Sequence, residues 1–374
     1  MIVGVPNEVK DNEYRVALTP EGARELTAAG HQVLVQDAAG SGSGIPQQRY
    51  ERAGAEIVPT AAEVWAGSDM IMKVKEPVAQ EFEHLREGQV LFTYLHLAAS
   101  RELTQALIDR KVSAVAYETV QLADGRLPLL APMSEIAGRM APHVAAHLLE
   151  KEYGGRGILM GGVSGVRPAK VFVLGAGMAG SNAAWIAVGM EAEVIVVDKN
   201  LDRLRFIDQI HKGRITTLMS DRLTLEQRVR EADVVIGSVL VPGARAPKLV
   251  TEDMIASMRT GAVAIDIAID QGGCIETSHM TTHSDPTYVM HGVVHYCVGN
   301  MPGAVPNTST YALTNVTLPY AIAIASRGLE DSVRTDPVLA LGVNVYAGEV
   351  TNPGVAEAHA LRFTPLSAIV DGLG

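Results

Sequence analysis

Four apolar residues, Val171-Phe172-Val173-Leu174, run without a break into Gly175-Ala176-Gly177-Met178-Ala179-Gly180 and then into a helical stretch, 182–190. Few arrangements other than strand, glycine turn and helix satisfy this order. Gly175 permits a tight turn, Gly177 lets the backbone come close to a diphosphate, and Gly180 allows the helix to pack closely on the strand. The start of the helix then offers main-chain N–H groups to phosphate oxygens. The glycine pattern alone is common, but the next strand, 194–197, ends in Asp198, where an acid is needed to accept hydrogen bonds from an adenosine ribose. The expectation is a Rossmann-type site for NAD. Asp198 would repel the 2′-phosphate of NADP, with Lys199 and Arg203 weakly opposing that preference. A ligand-free glycine turn with a solvated Asp198 is the alternative, and the complete strand-turn-helix-strand-acid series argues against it.

Around this unit, short runs rich in Val and Ile alternate with longer segments of helical periodicity, the pattern of parallel βαβ units. In the first part of the chain strands are expected at 2–5, 32–36, 70–74, 90–94 and 113–117. Thr19-Pro20-Glu21 opens a helix, with Thr19 as cap and proline in the first turn. From Ser134 onward Ile136, Met140, Val144 and Leu148 recur every fourth residue, predicting one face of a long helix that joins two domains. After the glycine-rich stretch 154–165 a second series of strands is expected at 171–174, 193–197, 234–238, 262–267 and 293–298, ending near Pro306. The segment 311–326 is again helical in pattern, too short for a third domain, and expected to pack back on the first. The predicted fold class is α/β: two open, mostly parallel, doubly wound domains joined by long helices. A Rossmann domain over residues 131–306 is inserted into a discontinuous substrate domain made of 1–130 and 307–374.

Composition narrows the ligands. A chain of 374 residues with 47% hydrophobic content can bury two ordinary cores. Its formal charge of −11 and lack of a Lys/Arg run argue against a nucleic-acid partner. Two cysteines, Cys274 and Cys297, cannot make a disulfide framework and suit a reducing cytoplasm. The N-terminus reads as a first strand instead of a signal peptide, and no apolar stretch is long enough to span a bilayer. His279, His283, His291 and His295 have a paired spacing that invites a metal, but turn and strand sequence around them favours no metal site. The loop 40–44 is also glycine-rich, yet lacks the spacing and the acid, and reads as a plain connection.

In open α/β sheets ligands bind beyond the carboxyl ends of the strands. Arg15 lies in the loop after the first expected strand, Lys75 follows the third, and His96 follows the fourth. Two cations can hold a small carboxylate, and an imidazole can exchange protons near neutral pH. Each has an ordinary alternative: a surface charge for Arg15, a pair with Glu76 for Lys75, a carbonyl contact for His96. Their shared topological position favours a site. From the second domain Asp266 and Asp270 lie at the end of the strand expected at 262–267, and Asp270, in the loop, is the better candidate for a cleft.

The runs Arg15-Val16-Ala17-Leu18-Thr19-Pro20, Lys73-Val74-Lys75-Glu76-Pro77, Thr93-Tyr94-Leu95-His96-Leu97-Ala98, Pro132-Met133-Ser134-Glu135-Ile136-Ala137-Gly138 and Asp266-Ile267-Ala268-Ile269-Asp270-Gln271-Gly272-Gly273 closely resemble the bacterial L-alanine dehydrogenase family, and the likeness covers nearly the whole chain. The resemblance implies reversible NAD-dependent deamination of L-alanine to pyruvate and ammonium. It implies that Arg15 and Lys75 bind the substrate carboxylate, that Met133 lines the pocket, and that His96 and Asp270 are catalytic. It implies cofactor contacts from Ser134, Met178, Ala179, Asp198, Arg203, Ser220, Val239, Leu240, Ile267, Asp270, His279, Asn300 and Met301, besides Gly175, Gly177 and Gly180, and it implies a hexamer. Arg203 stands where the family usually has lysine, and His279 where arginine is common. Two other functions fit the same fold: the soluble NAD-binding portion of a proton-translocating transhydrogenase, and a silent NAD sensor.

Overall fold

The computed structural model describes residues 1–239 and 246–370. Its strands, in chain order, are β1 (Ile2–Val5), β2 (Gln32–Gln36), β3 (Glu56–Val58), β4 (Met70–Met72), β5 (Val90–Thr93), β6 (Ser113–Ala116), β7 (Lys170–Leu174), β8 (Glu193–Asp198), β9 (Ile215–Met219), β10 (Val234–Gly237), β11 (Val263–Asp266), β12 (Thr287–Met290), β13 (Val293–Tyr296), β14 (Val343–Tyr346) and β15 (Glu349–Val350). The chain divides into two compact units, Met1–Met133 with Val305–Gly374, and Ser134–Ala304.

The first unit holds a sheet ordered β15-β14-β6-β5-β4-β1-β2-β3, parallel from β6 to β3. Strands β4, β5 and β6 are buried at every position, as expected of a parallel sheet covered on both faces. The helix Pro20–Ala28 starts where the sequence indicates, with the Thr19 hydroxyl accepting the Gly22 N–H at 3.3 Å. The C-terminal segment does more than the helical pattern foretold. After the helix Pro306–Thr335, interrupted at Gly328 where φ is +80°, β14 joins β6 antiparallel and β15 completes a short hairpin.

The second unit holds a sheet ordered β12-β13-β11-β10-β7-β8-β9, parallel except for β12. Its core combines Val171, Val173, Val194, Val196, Val234, Ile236, Val263 and Ile265 with the helix Met178–Gly189. The helix Ala131–Leu148 presents Ala137, Ala141, Ala145 and Leu148 to this core, while Met140 and Val144 only flank it. Of the expected line, Ile136 and Leu148 are buried and Met140 and Val144 partly buried, and the small residues packed on this core, Ala137, Ala141 and Ala145, lie one position further on. The reason is close approach: a Cβ at Gly138 would lie 2.2 Å from the Ala179 carbonyl oxygen, and only a small-residue face fits there.

Five strands escaped the sequence pattern: β3, β9, β12, β14 and β15. Of these β3, β9, β12 and β15 are sheet edges, short and partly exposed, and so carry no continuous apolar run.

Candidate active site

Both sheets reverse their direction of winding, the first between β1 and β4 and the second between β7 and β10. Connections leave such a point to opposite faces, so a crevice opens beyond the carboxyl ends of the two strands.

In the first unit Arg15 follows β1, Lys75 follows β4 and His96 follows β5, on three neighbouring strands. Arg15 is buried, with its Nε and Nη2 on the Glu13 carboxylate at 2.6 and 2.5 Å and its Nη1 3.1 Å from the Met133 sulfur. Burial works against the Arg15 charge, but Glu13 more than offsets this and holds the guanidinium above its ordinary value. Glu13 thus takes one edge of the fork, and the Nη1 side faces Met133. Lys75 stands 3.7 Å from Glu76, whose carboxylate also pairs with Lys10. Burial raises the Glu76 pKa, yet Lys75, His96 and Lys10 together outweigh burial and bring it below the usual range. The His96 ring lies parallel to Tyr94 at 6.1 Å, and its Nδ1 is 4.0 Å from Glu118. Below these groups Lys73, fully buried, pairs with Glu8 at 3.2 Å and Glu81 at 2.9 Å. Burial opposes the Lys73 charge and the two carboxylates restore it, so Lys73 is a fixed cation.

In the second unit the cradle follows the carboxyl ends of β9, β8, β7, β10 and β11, which carry Ser220, Asp198, Gly175, Val239 and Ile267 in that order across the sheet. Gly175 has φ of +99°, which a residue with a Cβ rarely adopts. Gly177 begins the helix Met178–Gly189 with no side-chain cap, leaving its first N–H groups to a ligand. Beside Gly177 an added Cβ would meet only Arg203 Nη1, at 3.8 Å, so the backbone is open to an approaching group. Asp198 accepts the Ala176 N–H at 2.7 Å and the Asn200 N–H at 2.7 Å, with Arg203 Nη1 3.8 Å away. These bonds fix the carboxylate and leave lone pairs on both oxygens for ribose hydroxyls. The residues present fit a dinucleotide.

Asp270 lies exposed on the 3₁₀ turn Ile267–Gln271 and accepts the Asn300 N–H at 3.3 Å. Asn300 has φ of +63°, and its carbonyl contacts His283 Nε2 at 3.1 Å. Met301 is buried in the core of this unit. Ser134 and Met133 are neighbours on the helix Ala131–Leu148, Met178 is exposed at the first turn of its helix, and Ala179 is buried behind it. His279 stacks on Tyr288 at 3.7 Å. Leu240 lies outside the described residues. Asp266 is a structural acid: buried, it accepts the N–H groups of Ala268 and Ile275. His295 is buried between Thr277 and the Val293 carbonyl, and among the described residues no three His, Cys, Asp or Glu side chains converge as a metal site would need. Cys274 and Cys297 are free, buried thiols. The loop 40–44 is a 3₁₀ turn.

Comparison with known proteins decides the family. Residues 4–137 match the N-terminal domain and residues 141–353 the C-terminal domain of alanine dehydrogenase/PNT. The chain belongs to the alanine dehydrogenase/PNT family. A family member from Methanococcus maripaludis, described as alanine dehydrogenase, is 54% identical over 366 residues, 98% of each chain. A solved L-alanine dehydrogenase superposes with a TM-score of 0.93 at 49% identity, covering 96% of this chain and 99% of that one. A transhydrogenase from Sinorhizobium meliloti shares the fold with a TM-score of 0.79 at 27% identity, covering 94% of this chain and 99% of that one.

Within this family member the glutamates escaped sequence reading. Glu8 and Glu118 lie 66 and 22 residues from the main-chain groups they hold, while Glu13 and Glu81 lie close to theirs but carry no pattern that singles them out.

The Gly180 contact supports a direct test. A Cβ there would lie 1.9 Å from the Gly175 carbonyl oxygen and 2.5 Å from the Ser238 hydroxyl. Gly180→Ala must push the helix off the turn, and NADH affinity in a fluorescence titration is expected to fall at least about tenfold, some 1.4 kcal/mol, within the usual cost of overpacking. Unchanged affinity would mean that the turn plays no part in binding.

Proposed function

We propose that this chain catalyses the reversible NAD-dependent oxidative deamination of L-alanine to pyruvate and ammonium, the activity of an L-alanine dehydrogenase. The observation that carries the reading is the placement of two cations and an imidazole beyond three neighbouring strands, in a chain of this family. NAD, when bound, supplies the hydride acceptor for the alanine Cα hydrogen and the donor in the reverse direction.

Arg15 and Lys75 bind the substrate carboxylate, Arg15 through its guanidinium and Lys75 as a point charge. Met133, against Arg15 Nη1, bounds the space for the methyl group. His96 has Nδ1 toward Glu118, which leaves Nε2 to take a proton from the water that attacks the imine carbon and to return it to the departing nitrogen. Asp270 has one oxygen engaged by Asn300 and offers the other to the amino group or water. The sum is alanine, NAD⁺ and water giving pyruvate, ammonium, NADH and one proton. Asp198 selects NAD over NADP, with Gly175, Gly177 and Gly180 around the diphosphate. Ser134, Met178, Ala179, Arg203, Ser220, Val239, Leu240, Ile267, His279, Asn300 and Met301 complete the cofactor contacts. The working form is a cytoplasmic hexamer acting on small molecules; among the described residues no helix is long and apolar enough to cross a membrane.

The test is NADH oxidation with pyruvate, with and without ammonium, and NADPH as control. Ammonium-dependent consumption of NADH and not NADPH is the expected result. Tight NADH binding without turnover would favour a sensor, or a role like that of the transhydrogenase relative.

A further inference from the structure

The three loops that carry Arg15, Lys75 and His96 each have a glutamate accepting main-chain N–H groups, Glu8 and Glu118 from two successive residues and Glu13 from Arg15 within its own loop. Glu13 Oε1 accepts the main-chain N–H of Arg15 at 3.1 Å. Glu8 Oε2 accepts the N–H of Lys75 at 3.3 Å, while its Oε1 accepts that of Val74 at 2.6 Å. Glu118 Oε1 accepts the N–H of His96 at 2.6 Å, and both its oxygens lie 3.2 Å from the N–H of Leu95. The main chain at Val74 and Lys75 and at Leu95 and His96 lies just past the ends of β4 and β5, where donors lose their ladder partners, whereas Arg15 lies further along the loop after β1. A carboxylate, an acceptor with two oxygens and no donor, can satisfy two consecutive N–H groups at once.

The arrangement at His96 goes further. His96 has φ of +49° and ψ of +37°, the left-handed region that a residue with a Cβ enters at a cost. A residue held there needs something to hold it, and the Glu118 bonds to two successive N–H groups across this bend supply that. The stacking of Tyr94 against the ring cannot do the same, because it touches the side chain and not the backbone.

We propose that Glu8, Glu13 and Glu118 are positioning residues, one for each of the three site side chains, which aim Lys75, Arg15 and His96 by fixing their main chains. The proposal rests on the roles given above to those three residues. It separates two functions: Glu8 and Glu13 govern how the carboxylate is held, and Glu118 governs how the proton is moved.

The experiment measures steady-state kinetics with pyruvate and ammonium for Glu118→Ala, Glu118→Gln and Glu8→Gln, with NADH titration counting folded binding sites in each. Glu118→Ala is expected to lower kcat by about 100-fold, the effect of a misplaced reacting group of about 1 Å, with KM for pyruvate changed less than about threefold. Glu118→Gln, whose amide oxygen can still accept both N–H groups, restores kcat to within about fivefold of the parent. Glu8→Gln raises KM for pyruvate about tenfold, a loosened Lys75 contact, with kcat nearly kept. A crystal structure of Glu118→Ala shows His96 leaving the left-handed region.

Several results would overturn the proposal: Gln as damaging as Ala at position 118, which would make the charge and not the clamp the active feature; kcat losses that only track lost NADH sites; or His96 keeping its φ in Glu118→Ala. Because that crystal structure needs no turnover, a parent enzyme inactive on pyruvate and ammonium would defeat the functional reading while leaving the clamp to be judged by geometry alone.

Discussion

With His96 replaced by alanine, turnover of pyruvate and ammonium falls by about 10²–10⁴-fold while NADH binds as before. The methyl group of alanine can neither take a proton from the attacking water nor return one to the departing nitrogen. The other polar groups around it cannot substitute: Lys75 and Arg15 are cations engaged with Glu76 and Glu13, and Tyr94 donates its hydroxyl to the Leu129 carbonyl at 2.6 Å. Burial further pushes the Tyr94 hydroxyl well above its ordinary value, so it is no base at neutral pH. NADH binding is preserved because the glycine turn and Asp198 belong to the other compact unit and have their own hydrogen bonds. Stopped-flow titration of NADH beside steady-state rates separates the two quantities. Turnover that survives the substitution would remove His96 from the proton path and turn attention to Asp270.

The second large effect is on stability. Lys73→Met keeps an unbranched side chain one atom shorter and removes its charge, leaving Glu8 and Glu81 buried side by side without their cation. Burial already raises the Glu8 pKa against the pull of Lys73, which shows how little solvent reaches the cluster. Breaking such a pair from one side costs about 3–5 kcal/mol. For a unit of this size that lowers the midpoint of thermal unfolding by roughly 2–4 °C per kcal/mol. The sign with pH follows from Glu8. Its folded-state pKa lies above the unfolded one, so the protonated form is the one folding favours. Without Lys73 that preference grows, and the variant regains stability as pH falls toward the carboxylate range. Calorimetry at pH 5 and pH 8 checks this: a smaller deficit at the lower pH is expected. A triple variant Lys73→Met, Glu8→Gln, Glu81→Gln recovers part of the loss, since it removes the stranded charges. No change in midpoint for Lys73→Met alone would mean that the cluster is solvated and not structural.

Much of the architecture was legible in the chain. The glycine turn at 175–180 and the acid at 198 identify one sheet and its nucleotide end, because a tight turn and a close helix leave no other residue type possible. Buried central strands such as β4, β5, β7 and β11 show as unbroken apolar runs. Arg15, Lys75 and His96 could be singled out, since each lies in the segment that follows a strand. The edge strands β3, β9, β12 and β15 could not, because a strand open to water on one side has a mixed composition. The helix Ala131–Leu148 was found, and Ile136 and Leu148 of its expected face are buried, but the small-residue stripe Ala137, Ala141 and Ala145 was not singled out. Large apolar residues score highest in a periodic pattern, whereas the face that approaches another backbone closely must be small.

The sequence by itself determined which local conformations were available: where φ must be positive, where a helix begins, which runs are too apolar to face water. Those choices depend on residues within a few positions of one another. Only the tertiary structure decided which distant residues share a charge or a hydrogen bond. Glu118 and His96 are 22 residues apart, Glu8 and Lys75 are 67 apart, and neither spacing has any period that could announce the contact. Strand order set those pairs. By placing β1, β4 and β5 side by side it brought three loops to one edge, and the unpaired N–H groups just past β4 and β5 then required acceptors that only the folded chain could supply.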